Sequence, residues 1–406
     1  MGNYSFMSTF NIDNLLKSVF QNESNILDLR KLFDDKLIEY DISRTKALNI
    51  LSIDKDVFDE IVSGTAKQPS IINILKISQF LEVELNEVIL AVLKNQSPEN
   101  IAALEKAKKV SFLVKNFDVK KLSKIGFFKD TDNVDDSIER VLTFFGFESI
   151  LEFENELANP LFSQGKRKFS DKMKNFWINS AYQCFKNINN INDYSREQLK
   201  DLIVKIKPYC QDVENGLFTI CKALYNIGVT VIIQHQLVNT QVRGGTFVVN
   251  GKPCIVLTDL FKKYPTIWTT LIHELHHVLY DLEIIEKTKF HLTGDPDLFL
   301  IEEKADEFSM DFFCGIEKFN FIKNHINNRF VVERFAKEME VHVSFIYSAF
   351  RFYQDKLYKK NYYSAFNEFF PLYALAISKV NPITWHESNL KEASLKIKQI
   401  FELNTI

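Results

Sequence analysis

The chain has 406 residues, 46% of them hydrophobic and 25% charged, with a net charge of −3; this calls for two or three domains and excludes a disordered chain or a strongly basic binder of nucleic acid or anionic lipid. No apolar run reaches membrane-spanning length, and the start, MGNYSFMSTFNIDNLL, has neither a basic head nor an apolar signal core, so no membrane partner and no secretion signal are expected. The five scattered cysteines (Cys184, Cys210, Cys221, Cys254 and Cys314) form no CxxC pair and read as buried thiols of a reducing cytoplasm, while 37 Phe against 12 Gly and 9 Pro predict long helices.

The first predicted elements are short helices between 24 and 95. A helix near 44–51 gives way to Ser52-Ile53-Asp54, where Asp54 can cap a second helix over 55–62. Gly64 is its terminator, and Pro69-Ser70 opens a third helix with apolar positions Ile72, Leu75, Ile77 and Leu81. This order resembles the repressor-type helix-turn-helix domain of the XRE family. DNA binding by it is doubtful on charge. From 41 to 95 the bases Arg44, Lys46, Lys55, Lys67, Lys76 and Lys94 face eight acids, and Asp56, Asp59 and Glu60 lie on the second helix itself. DNA affinity is supplied largely by Lys and Arg releasing counterions from phosphate. The alternative is a helical module for protein contact or dimerisation.

Two amphipathic helices are expected between 98 and 155, with Phe144-Phe145-Gly146-Phe147 as core packing. ANPLFSQGKRKFS (158–170), with Lys166-Arg167-Lys168, is the linker candidate. Helices are expected again over 171–190 and 194–225. Two or three strands follow, over 228–234, 245–250 and 252–258. Asn250-Gly251 marks a hairpin between the last two. The hairpin either packs the next helix or offers an edge for an extended peptide, with Gly244-Gly245 permitting close approach.

Pro265-Thr266 starts a helix through IWTTLIHELHHVLYDL, with Thr266 as cap. His273 and His277 are four apart, so both imidazoles leave one face of that helix about one turn apart and can meet one Zn²⁺. Glu274, rotated about 100° around the helix, is placed as the general base for an attacking water. His276 is set aside as a ligand, because only the four-residue spacing leaves Glu274 in that role. A catalytic zinc needs a third protein ligand. Glu283, Glu286, His291, Asp295, Glu302, Glu303, Asp306 and Glu307 are available downstream. A helix over 298–313 with an inward stripe of Ala305, Phe308 and Phe312 puts Glu302 on the adjoining face. Asp306, four later, can fix a ligand histidine through its free N–H. Glu302 is preferred, with Glu303 the rival. The oxyanion donor is open among Tyr280, His276 and His291, with Tyr358, Tyr362 and Tyr363 as further candidates.

From about 224 to 315 the chain resembles the ImmA/IrrE metallopeptidases, through GVTVIIQ, GGTFVVNGKPCIVLT, IWTTLIHELHHVL and the E-x-x-A-D-x-F of EEKADEF. Their usual HELGH has His276 in place of Gly here, and Lys304 and Ser309 depart from E-x-E-A-N/D-x-F-A. The family's zinc ligands fall on His273, His277 and Glu302. The resemblance implies a mainly α fold with a small antiparallel sheet (α+β). It divides into an XRE-like domain (1–97), a helical connector (98–165), a zincin-like peptidase (166–320) and a C-terminal helical region (321–406). It also implies cleavage of an intracellular repressor or antitoxin in stress response, mobile-element control or phage defence. The alternative expectation is a metal-binding transcription regulator or sensor without turnover.

Overall fold

Few glycines and prolines interrupt the chain, and its described residues fold mainly into helices, with one small sheet. The computed structural model describes residues 27–94, 96–129, 132–158, 171–294 and 302–403. The basic triplet Lys166-Arg167-Lys168 and the rest of the linker expected over 158–170 from position 159 on, together with Asp295 and positions 298–301, lie outside the described residues. The chain forms two compact units, Met1–Ser111 and Phe112–Ile406. The stretch expected as a connector is divided between them, because its aromatic half has a core to join. Phe112, Phe117, Phe127, Phe144, Phe145 and Phe153 are all buried in the second unit.

In the first unit, Asp28 accepts from the backbone N–H groups of Arg30 and Lys31 and caps the helix Leu29–Glu39. Arg44–Leu51, Lys55–Ser63, Ile71–Leu81 and Leu85–Lys94 follow. Asp54 has the extended backbone of a cap but makes no side-chain cap bond, and Gly64 ends its helix at φ +73°. The expected apolar stripe on the third helix is corrected. Ile74, Ile77, Ser78 and Leu81 are buried, and Ile72 and Leu75 are exposed. The 74–77–78–81 spacing is the single helical face, and positions 72 and 75 lie off it. Asp59 is held by Arg30 and Arg44 within the unit.

In the second unit β1 (Thr230–Gln234), β2 (Gly244–Val249), β3 (Lys252–Thr258) and β4 (Phe290–Leu292) form a sheet in the order β1-β3-β2-β4. Asn250 (φ 53°) and Gly251 (φ 73°) make the tight turn from β2 to β3, the left-handed pair a two-residue hairpin requires. The sheet is mixed, not antiparallel as expected. β3 lies between β1 and β2, so the connection after Gln234 crosses it and leaves β1 parallel to β3. β2 is not an edge strand either: Gly245, Thr246 and Phe247 pair with β3 on one side and β4 on the other.

The helix expected over 194–225 is three pieces, Arg196–Ile206, a 3₁₀ turn at Lys207–Gln211 and Gly216–Asn226. Pro208 removes a helical N–H there, and Asp212 caps Glu214 and Asn215. The Phe-rich layer is tied to the chain's last part by Arg140. Its guanidinium donates to the carbonyls of Phe127, Trp385, Glu387 and Ser388 and stacks 4.5 Å from the Phe127 ring centre. Ile383 exchanges backbone hydrogen bonds with Ile233 and His235 at the end of β1. Among the described residues no helix is long and apolar enough to cross a membrane.

Candidate metal centre

The histidine helix, Tyr264–Tyr280, is apolar on nearly every side. Its start is set by Lys263 in extended conformation and Pro265 in the first turn. Thr266, expected as the cap, lies inside it because Pro265, lacking an N–H, is suited to the first turn. The helix packs on β2 and β3 and against the acidic helix, Glu302–Cys314. The acidic helix turns Ala305, Ser309 and Phe313 inward, with Phe308 and Phe312 half-buried beside them. That places the small Ala305 and Ser309, rather than two phenylalanines, at the closest approach, and carries Glu302 to the histidines.

His273 and His277 present their Nε2 atoms to each other at 3.2 Å. Glu302 completes a triangle, with Oε2 3.5 Å from His273 Nε2 and Oε1 3.3 Å from His277 Nε2. A tetrahedral ion with ligands at roughly 2.0–2.1 Å sets them about 3.3–3.4 Å apart, so these donors have the spacing of a metal site. The outward nitrogens are equally fixed. His273 Nδ1 lies 3.0 Å from Asp306 and His277 Nδ1 2.8 Å from Asp281. With Nδ1–H given to a carboxylate, each ring in its neutral form turns an Nε2 lone pair toward the point where an ion would sit. His273, His277 and Glu302 form a group that could hold a metal ion.

No family model, no curated protein and no solved structure matches this chain. The centre is therefore read from its own chemistry.

The second set with converging donors, His276, His277 and Asp281, meets His277 at the Nδ1 already bonded to Asp281. His276 Nδ1 stays 3.8 Å from that carboxylate. Burial, reinforced by the charge of His277, lowers the His276 pKa to about 4 and keeps it neutral. Its ring packs on Tyr280 and Phe308. Glu303 is exposed on the acidic helix.

His291, on β4, is fully buried, lies 4.8 Å from the His277 ring and places Nε2 2.6 Å from Glu302 Oε1. With the backbone N–H of Gly294, 3.1 Å from Oε2, it fixes the carboxylate. Burial opposes charge on His273 and His277. Asp306 and Glu302 outweigh it at the first and push its pKa up to about 10; Asp281 and Glu302 do so at the second, to about 9. Burial would raise Glu302, but the three histidines hold it far below the usual carboxylate range. The set is thus cation-seeking, and protons compete with a metal for it.

Glu274 is fully buried beside this triangle. Thr246 on β2 donates to its Oε2 at 2.7 Å, and Thr293, just after β4, donates to Oε1. Gly244 is required here. A Cβ would sit 2.7 Å from Glu274 Oε1 and 2.8 Å from Thr270 Cγ2. Of the glycine pair expected to admit a peptide, Gly244 instead admits the histidine helix and its carboxylate, and Gly245 admits β4 at Leu292 and the His291 carbonyl.

A cleft of about 440 Å³ opens beside His273, with Thr293, Asp306, Tyr362 and Tyr363 in its lining. Of the expected oxyanion donors, Tyr280 is exposed, His276 packs its ring on Tyr280 and Phe308, and His291 is bonded to Glu302; none of the three lines the cleft. Tyr358 lies elsewhere, accepting from Lys323. The sequence reading missed Asp281 as the partner of His277. Its signal was the four-residue spacing from His277 at the end of the same helix.

Proposed function

We propose that the chain is a zinc-dependent endopeptidase acting on a specific protein. The observation that carries this reading is the pair of imidazoles whose Nδ1 atoms are each anchored by a carboxylate while both Nε2 atoms converge with Glu302. His273, His277 and Glu302 would hold the zinc, which when bound supplies Lewis acidity to a peptide carbonyl and to water. Glu274 takes the proton of the attacking water as its oxygen joins the carbonyl carbon. It then delivers that proton to the amine nitrogen as the C–N bond breaks. The hydroxyls of Thr246 and Thr293 hold the carboxylate in one orientation during both transfers. The resemblance to the ImmA/IrrE peptidases supports a repressor or antitoxin as the substrate. A second reading, a metal-binding regulator without turnover, draws on the burial of Glu274 and the engagement of both its oxygens.

The test is to load the full chain with zinc and incubate it with a native bacterial proteome and with a peptide library, scoring new N-termini by mass spectrometry. Cleavage by wild type is expected to vanish in Glu274→Gln at equal zinc content. Cleavage that persists in that variant, or none by wild type in either material, overturns the peptidase reading.

A further inference from the structure

The cleft beside His273 carries a concentration of positive charge that the hydrolytic chemistry does not use. Arg243, Lys263 and Arg351 line it, from the start of β2, the entry to the histidine helix and the helix Val343–Tyr358. Each cation lies over an aromatic ring: Arg243 5.5 Å from the centre of Phe261, Lys263 3.5 Å from Tyr363 and Arg351 4.2 Å from Phe370. Such stacking holds a cation's position while leaving donors to seek acceptors; Lys263 also donates to the Tyr363 carbonyl at 3.3 Å. None of the three makes an ion pair among the described residues. The acids of the lining are Asp306, already bonded to His273, and Asp355, which is exposed.

Arg351 is the most exacting of the three. Its Nη2 donates to Asn367 Oδ1 at 2.9 Å, but its Nε and Nη1 are buried and find no acceptor among the described residues. A buried donor of a charged group left without an acceptor is costly; Nε and Nη1 lie on different edges of the guanidinium, so a carboxylate takes one of them, together with the second N–H of Nη2. The Lys263 ammonium supports the same placement. Burial, and then the neighbouring Arg351 charge, lower its pKa, so the two cations repel one another, with Glu368 the carboxylate that acts on Arg351.

Building on the peptidase reading of the adjoining centre, we propose that this cleft receives a carboxylate of the peptide substrate, gripped by Arg351 and Lys263 while the surrounding rings cover the peptide's apolar atoms. The carboxylate comes from an Asp or Glu side chain near the scissile bond or from the chain's C-terminus. In either case the preferred substrate is an acidic peptide rather than a neutral or basic one.

The experiment uses the zinc-loaded full chain carrying Glu274→Gln, so that bound peptides are not consumed. Randomised dodecapeptide pools are offered in four forms: with Asp and Glu or with Asn and Gln, each ending in a free carboxylate or an amide. Retained peptides are counted by mass spectrometry. Acidic forms should be enriched at least about tenfold over their amide counterparts, the scale of one charge-assisted hydrogen-bond pair. That ratio should collapse when Arg351→Gln or Lys263→Gln is added, with zinc content and thermal unfolding measured on each variant to show that the centre is intact. A preference that follows the C-terminal form assigns the carboxylate to the chain end; one that follows the side chains assigns it to Asp or Glu. Equal retention of acidic and amide pools, or an enrichment that survives both substitutions, overturns the inference. Acidic peptides that bind but are never cut by wild type count against the peptidase reading alone. Cutting without acid preference counts against the carboxylate site alone.

Discussion

In the proposed zinc centre Asp281 and Asp306 would touch no metal, yet would set how tightly one is held. Asp281→Asn and Asp306→Asn keep the side-chain shape and remove the charge that accepts the Nδ1–H of His277 at 2.8 Å and of His273 at 3.0 Å. Loss of such a partner weakens metal binding by roughly 10- to 100-fold, about 1.4–2.7 kcal/mol. The two positions are not equivalent. The Asp281 side chain is 19% exposed and the Asp306 side chain 49%, and water compensates an exposed partner better than a covered one. Asp281→Asn should therefore fall near the hundredfold end and Asp306→Asn near the tenfold end. Zinc affinity is measured by equilibrium competition with a chromophoric chelator, with His276→Ala and Glu303→Gln as comparison variants that should bind as wild type does. An unchanged affinity in Asp281→Asn, or loss of zinc in Glu303→Gln but not in Glu302→Gln, would refute the assignment of ligands and partners.

Gly244→Ala should retain the histidines and Glu302 but displace the Glu274 carboxylate. Bringing the 2.7 Å approach out to an ordinary 3.4 Å requires a shift of about 0.7 Å. It should cost about 1–3 kcal/mol in urea unfolding and lower turnover far more than zinc content; unchanged stability and turnover would contradict the packing described. The metal-free protein should also show a signed pH dependence. The raised His273 and His277 contribute stability that is complete below their ordinary 6.5 and is lost as pH climbs through about 9 and 10. Glu302, held low, contributes stability that is present above its ordinary 4.5 and is lost in acid. Metal uptake needs both rings neutral, so the stabilisation by zinc should grow with pH. Melting temperatures with chelator or zinc across this range check it, and a chelated protein that gains stability between about pH 7 and 9 would contradict it.

The centre was legible in the sequence to the extent that it is helical. His273, Glu274, His277, Glu302 and Asp306 are all placed by a 3.6-residue period on two helices, and the structure brings the three ligand candidates together. What depends on the sheet was not legible. β4 is three residues long, too short to carry an alternating pattern, yet it supplies His291 and leads into Thr293. Without β4, β2 read as a possible edge and its glycines as room for a peptide. The parallel pairing of β1 with β3 follows from a crossover, which no local pattern encodes. The Arg140 clamp joins positions about 245 residues apart, and a lone arginine in a helix announces no partner. The boundary after Ser111 was equally hidden, because the aromatic residues beyond it show only that they are buried, not in which core.

All five cysteines are buried and free, and burial pushes each thiol up to about 12. The thiolate is the species that alkylates, and at neutral pH so high a value leaves roughly one sulfur in 10⁵ in that form. The folded chain is thus nearly inert to alkylating reagents, and its own sulfurs become clocks of its opening. Cys314 ends the acidic helix that bears Glu302, while Cys254 sits within β3. Labelling at Cys314 ahead of Cys254 would time the departure of that helix from the histidines, separately from the collapse of the sheet, with no probe introduced into the protein.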